Sequence, residues 1–154
     1  MLDSKDNKIL DLLQRNGRMT AKDIAERVEL SVPAVAERIK KLVEEKIIRE
    51  FRAIVDSKKL GYDVTAFILL VMASSEHYEA MINHVKKSDE ILECHSITGE
   101  GSHMLKVRTK STSSLEILLR KIQSWEDVVR TQTMIVMSTF KEETFLFLRK
   151  KKQL

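Results

Sequence analysis

Apolar residues recur at helical spacing three times within the first 46 residues. Ile9, Leu10 and Leu13 follow Asp3 and Asp6, which open a helix, and Asn16-Gly17 is expected to end it with a left-handed stop. Ile24, Ala25 and Val28 line a second helix, capped by Thr20 with Asp23 in the return position of a capping box. The chain then turns at Glu29-Leu30, where glycine would be the easier residue, and Ser31 caps a third helix whose first turn accepts Pro33. That helix buries Val35, Ile39 and Leu42. The turn between the last two helices is tight, and the small Ala25 allows a close crossing. Such a helix-turn-helix can push its second helix into the major groove of double-stranded DNA.

Beyond residue 46 the pattern changes. Ile47–Val55 is rich in β-branched and aromatic residues and predicts a strand, followed by a polar connection, Asp56–Gly61. Strands are then predicted at 64–74, 91–98, 103–109 and 128–139, with helices at 76–88 and 111–124. The order β-α-β-β-α-β is the ferredoxin-like, split-βαβ unit, which makes the chain an α+β protein. Its expected organisation is a helix-turn-helix domain at 1–50, a strand and linker at 51–61, a ferredoxin-like sensing and oligomerisation domain at 62–140 and a tail at 141–154.

Two strands carry a further message. Phe67–Ala73 and Met134–Met137 are apolar at consecutive positions, so both of their faces call for burial. Two helices cover one face only; a second copy of the sheet would cover the other and make a homodimer presenting two reading helices. The alternative cover is Thr144–Leu148 folding back. Lys106 and Arg108, on the outward parity of their strand, stand against burial by a second copy.

Charge and composition narrow the field. The formal net charge is +4, with 14 Lys+Arg against 11 Asp+Glu in residues 1–60 and 13 against 12 in the remainder. DNA affinity must therefore come from local placement of charge. The single Cys94 excludes an intrachain disulfide and fits a reducing compartment. The longest apolar run is far short of the roughly 20 residues of a membrane span, and no secretory leader is evident, so a cytoplasmic protein without membrane contact is expected. His84, His95 and His103 do not share metal-ligand spacing with Cys94, and there is no phosphate-binding glycine loop. Neither an enzyme nor a cofactor or metal is expected.

Two sets of residues carry the expected chemistry. On the third helix, Arg38 and Lys41 lie one turn apart with Glu37, and Ser31, Val32 and Ala34 stand at its N-terminus. Arg38 reaches a base or phosphate, or pairs with Glu37 or Glu45. Arg18, Lys22, Lys40, Arg49 and Arg52 are candidate phosphate contacts. The second set is the turn Gly99-Glu100-Gly101-Ser102 with His103. Two glycines there permit positive φ and converging backbone N–H groups, and hydroxyls from Thr131 and Thr133 could join them. An ordinary hairpin turn explains the same residues.

Several segments together resemble a known family. Leu2-Asp3, Asp6, Ile9-Leu10, Leu13-Gln14, Asn16-Gly17-Arg18, Leu30-Ser31, Arg38, Lys41-Leu42, Ile47-Ile48 and Leu60-Gly61 are similar to the start of the Lrp/AsnC (leucine-responsive, feast/famine) regulators. Glu93-Cys94, Ile97–Glu100 and Leu105-Lys106-Val107 resemble their sensing domain. The resemblance implies a transcription regulator that dimerises through back-to-back sheets, assembles further to tetramers or octamers and senses a small molecule, usually an amino acid, near the turn after the second sensing-domain strand. In the family that turn commonly reads Gly-Asp-x-Asp and an aromatic; here Ser102 and His103 stand in the last two places. A serine holds an ammonium group only weakly compared with a carboxylate. Lys46 replaces the usual glycine before the two isoleucines. The rival readings are an architectural DNA-wrapping protein without a ligand and an enzyme like the siroheme decarboxylases, which would need His103 or His95 in a cleft.

Overall fold

The computed structural model describes residues 2–148. The chain divides into two compact units, one of residues 1–54 with 141–154 and one of residues 55–140. The C-terminal segment thus belongs with the N-terminal helices and not with the sheet that precedes it.

The first unit holds α1 (Ser4–Arg15), α2 (Ala21–Val28) and α3 (Val32–Glu44). Asp3 caps α1 in a reciprocal box with Asp6, Thr20 caps α2 and Ser31 caps α3. Ile9, Leu10, Leu13, Ile24, Ala25, Val28, Val35 and Leu42 form one core. The stop after α1 differs from expectation. Asn16 is extended at φ −146°, its N–H returning to the Leu12 carbonyl, and Gly17 does not adopt positive φ. Left-handed stops occur instead without glycine, at Glu29 after α2 and Lys46 after α3, both at φ 57°. The Lys5 ammonium caps the Val28 carbonyl at the end of α2, and Ile47 N–H closes the end of α3 on the Leu42 carbonyl at 2.9 Å.

The expected strand over 47–55 is not formed. No strand is present between α3 and Val64 among the described residues. Phe51, Ile54 and Val55 are exposed. Extended propensity needs a ladder partner, and this segment has none among the described residues.

The second unit begins with a short 3-10 turn (Lys58–Leu60), then β1 (Val64–Met72), α4 (Tyr78–Lys86), β2 (Ile91–Ser96), β3 (His103–Thr109), α5 (Thr112–Gln123) and β4 (Val128–Ile135). The order in the sheet is β2-β3-β1-β4, every neighbour antiparallel, as the split-βαβ plan requires. β4 is shorter than expected because Val136 N–H bonds Thr65 O, one residue from the start of β1. α4 starts at Tyr78, two residues late. Ala66, Ile68, Leu70, Leu105 and Val107 meet Met81 of α4, Leu115, Leu118 and Ile122 of α5, and Trp125 in the core.

Register assigns the opposite face. Phe67 pairs with Lys106 and Met134, and Leu69 with Met104 and Gln132. Phe67 and Met134 are 36% and 42% exposed on this helix-free side. Of the two side chains expected to oppose burial there, Lys106 is matched in charge and Arg108 is hydrogen-bonded. Lys106 Nζ meets Glu93 Oε1 at 3.2 Å, and Arg108 Nε donates to Thr65 Oγ1 at 3.2 Å. The candidate cover, Thr144–Leu148, is engaged elsewhere: Leu146 exchanges backbone hydrogen bonds with the Gln14 side chain of α1.

One corner of this unit is strained. Asp127, at φ 63°, accepts from Ser74 Oγ at 2.8 Å and pairs with His77 Nδ1 at 2.7 Å. Asp127, then Glu126 and Glu76, hold the His77 imidazolium above the ordinary histidine value, against the pull of partial burial. A raised folded-state value means that the pair stabilises fully below about pH 6.5 and loses that contribution as pH rises through the raised value. The stability gap between the native chain and His77→Gln is therefore expected to close between mildly acid and alkaline pH in urea titrations.

The turn between β2 and β3 rests on a closer constraint. A Cβ on Gly101 would lie 2.4 Å from Leu69 Cδ1 and 2.9 Å from the Leu70 carbonyl oxygen. Gly101→Ala is expected to destabilise the second unit by about 1–3 kcal/mol, read as a lower urea midpoint with an unchanged slope.

Candidate nucleic-acid interface and effector turn

On α3, Val32, Glu37, Lys40 and Lys41 are exposed, Ser31 is exposed at its cap, and Ala34 is half-buried. Ser31 Oγ accepts from Ala34 N–H at 3.3 Å, so its hydroxyl is used in capping. Lys40 and Lys41 face solvent, each loosely paired with the glutamate four residues on, Glu44 at 3.8 Å and Glu45 at 3.7 Å. Such exposed pairs are worth little and yield readily to a phosphate. Arg18, Lys22, Arg49 and Arg52 are exposed as well. Arg52 lies 3.2 Å from Glu50.

Arg38 is placed differently. Its Nη1 lies 2.7 Å from Asp3 Oδ2 and 2.6 Å from Asp6 Oδ1, the two carboxylates of the α1 capping box. At 100° per residue Arg38 is about 160° around α3 from Lys40. It ties the reading helix to the start of α1, not to Glu37 or Glu45, and one arginine between two carboxylates leaves a net negative charge. The partners are 32 and 35 residues away, so helical spacing gave no sign of them. Asp3 and Asp6 are legible from spacing only as a cap.

The second candidate site is not brought together as expected. Gly99 takes φ 112°, but Gly101 does not have positive φ; its glycine is required by the approach to Leu69 and Leu70. Gly99 and Glu100 are exposed at the tip. Ser102 N–H donates to Leu70 O at 2.8 Å, and its hydroxyl donates to the same oxygen at 3.2 Å. His103 Nδ1 lies 3.0 Å from Ser102 Oγ. With the single serine hydrogen directed at Leu70, the imidazole Nδ1–H donates to that oxygen. His103 itself is 4% exposed, meets the Tyr78 ring of α4 edge-on at 4.7 Å, and is held below the ordinary histidine value by burial. It pairs with Leu70 across the sheet and so lies on the helix-covered side. Thr131 and Thr133 pair with Leu70 and Ile68 and share that side; Thr131 Oγ1 accepts from Gln123 of α5 at 2.9 Å. The two-residue period of a strand puts His103, Thr131 and Thr133 on the helix-covered side, His103 buried and the two threonines half-buried, with Gly99–Ser102 in the turn beyond them.

A tight, capped helix pair that presents Lys40 and Lys41 to solvent, joined in one chain to a βαββαβ sheet, has the plan of a two-domain DNA-binding regulator. The description "Winged helix-turn-helix DNA-binding" matches residues 2–49, and "Lrp/AsnC ligand binding domain" matches residues 65–146. The HTH-type transcriptional regulator FL11 of Pyrococcus abyssi is 39% identical over 94% of this chain and 95% of its own length. Regulatory protein AsnC of Haemophilus influenzae is 34% identical over 88% and 91%. The solved structure of Escherichia coli AsnC superposes with a TM-score of 0.87 at 30% identity, covering 94% of this chain and 98% of that one. A Neisseria meningitidis transcriptional regulator in complex with L-Met gives 0.90 at 30% identity, covering 95% and 96%. The chain belongs to the Lrp/AsnC family of helix-turn-helix transcription regulators.

Asp3 is held below its ordinary value, first by the Asp6 backbone N–H and then by Arg38. A depressed carboxylate stabilises fully above its unfolded value and is lost as pH falls through the folded one. Arg38→Ala is expected to lower the thermal midpoint at neutral pH, where Lys40→Ala leaves it within a degree or so of the parent, and that gap is expected to narrow in acid. Differential scanning calorimetry across pH checks both.

Proposed function

We propose that this regulator reads its DNA sites through the exposed face of α3, with Lys40 and Lys41 as principal cations and Arg38 as the residue that sets the helix's position. The observation that carries this reading is the division of labour on α3. Arg38 is occupied by Asp3 and Asp6, and Lys40 and Lys41 face outward with only weak partners. Arg18, ahead of α2, and Lys22, in its first turn, serve as phosphate contacts.

A homodimer formed through the helix-free face of the sheet supports that reading. Phe67 and Met134 supply exposed apolar surface there, and Lys106 is already neutralised by Glu93. The dimer would build to tetramers or octamers and work in the cytoplasm. A small-molecule effector is proposed at the rim formed by Gly99–Ser102, with an amino acid as the first class to test because a structural neighbour is a complex with L-Met. Ser102 favours a second reading, an architectural DNA-binding protein without ligand, since its hydroxyl is committed to Leu70. No catalytic role is proposed: His103 is buried beneath Tyr78, and His95 pairs with Glu93 at 3.2 Å.

Genome-wide capture with the purified chain, followed by salt titration on the best fragment, tests the first reading. A few enriched sites sharing a pseudo-palindrome are expected. Lys40→Ala with Lys41→Ala should lower the slope of log affinity against log salt by about 0.9 for each phosphate that is no longer neutralised. Diffuse capture would favour the architectural reading. Amino acids that shift neither DNA binding nor oligomeric state would remove the amino-acid effector.

A further inference from the structure

The reading helix opens with a stretch that offers almost nothing to a base edge. Val32, Pro33, Ala34, Val35 and Ala36 carry no side-chain hydrogen-bonding group, and the Ser31 hydroxyl is used in capping. Glu37 is the first polar side chain of α3. In a helix-turn-helix the N-terminal part of the second helix contacts base edges. The side chain best placed for that contact is therefore a carboxylate.

Its orientation agrees. At 100° per residue, Glu37 stands about 140–160° around α3 from each of Val35, Ile39 and Leu42, which face the core. Lys40 and Lys41 stand about 60° and 40° to either side of it. Its charge is also unpaired. Lys41, four residues on, has the spacing and order that favour an ion pair with Glu37. Lys41 turns instead to Glu45 at 3.7 Å, and Lys40 to Glu44 at 3.8 Å. The Glu37 side chain is exposed and makes no hydrogen bond or ion pair among the described residues.

A free carboxylate in the middle of a DNA-facing surface is repelled by every phosphate. Entry into the groove strips its water, and only a hydrogen-bond donor offsets that loss. The major groove offers two base-edge donors, the N4 amine of cytosine and the N6 amine of adenine. Adenine sets its N7 acceptor beside that amine, and guanine and thymine present acceptors. Cytosine alone meets a carboxylate with a donor and no adjoining acceptor on the same base. Its paired guanine, through O6 and N7, then receives the flanking ammonium of Lys40 or Lys41.

We propose that Glu37 is the residue by which α3 selects a G·C pair, its carboxylate accepting from cytosine N4 at one position of the site. Binding is weakened on every sequence that lacks cytosine there, so the charge discriminates by exclusion as well as by contact.

The inference deepens the α3 reading above and rests on it, and the test keeps the two apart. Fluorescence anisotropy would compare the native chain with Glu37→Gln, Glu37→Ala and the double variant Lys40→Ala with Lys41→Ala. The probes are a captured genomic fragment, its single-base-pair substitutions and a random-sequence duplex. In the native chain one position is expected to prefer cytosine by about tenfold. Glu37→Gln is expected to move that preference to adenine, whose N6 and N7 suit an amide, and Glu37→Ala to abolish it. Glu37→Ala is also expected to bind the random duplex several-fold more tightly, with the native salt slope because no cation is lost. Its thermal midpoint stays native, since the side chain is exposed and unpaired. An unchanged preference at every position in both Glu37 variants would overturn the proposal. So would a gain in Glu37→Ala that is equal on all sequences, the mark of plain repulsion. Affinity lost in the double lysine variant would leave the α3 reading standing through either failure. Absence of binding by the native chain would overturn that reading and the role of Glu37 with it.

Discussion

A four-stranded sheet with helices on one side leaves its central strand half covered, and β1 is apolar on both sides. Ala66, Ile68 and Leu70 are fully enclosed under α4 and α5. Phe67, Leu69 and Val71 project the other way from the same nine-residue strand. Apolar area removed from water stabilises by roughly 25 cal/mol per Å², so a sheet of this composition gains by meeting another surface. The same strand positions the turn at its end, because the Leu70 carbonyl receives both the backbone and the hydroxyl of Ser102. Tight packing of Gly101 against Leu69 follows from that seat. The uncovered apolar face and the seat of the Gly99–Ser102 turn are therefore two consequences of one strand's geometry.

In the smaller unit the corresponding constraint is ionic. Asp3 and Asp6 close the first turn of α1 and also receive Arg38 from α3. The two tasks reinforce each other, because carboxylates held by backbone N–H groups are already fixed in place when the guanidinium arrives. Removing either task loosens the other. The orientation of α3 is in this sense written into the cap of a different helix.

The helices were legible because their signals are local. Asp3, Thr20 and Ser31 all cap where spacing placed them, and the apolar stripes of α1, α2 and α3 recur in the core of the first unit. The sheet order followed from the element order. What escaped the sequence was everything decided by a distant partner. Ile47–Val55 has the composition of a strand but no ladder to join among the described residues. Arg38 has the spacing of an exposed residue but finds its carboxylates at the other end of the unit. His103 follows a loop-like turn, and only the pairing with Leu70 reveals that it faces inward. Thr131 and Thr133 share that fate. Thr144–Leu148 read only as an alternative cover for the sheet, and its tie to Gln14 spans 132 residues.

Glu29 and Lys46 frame the reading helix, and both sit in a backbone region that L side chains enter at a cost of roughly 1–2 kcal/mol. Neither side chain is buried. The unit consequently holds untapped stability at two surface positions where glycine would relieve the backbone and leave the core undisturbed. The DNA-binding unit thus folds with less stability than its own backbone plan would permit.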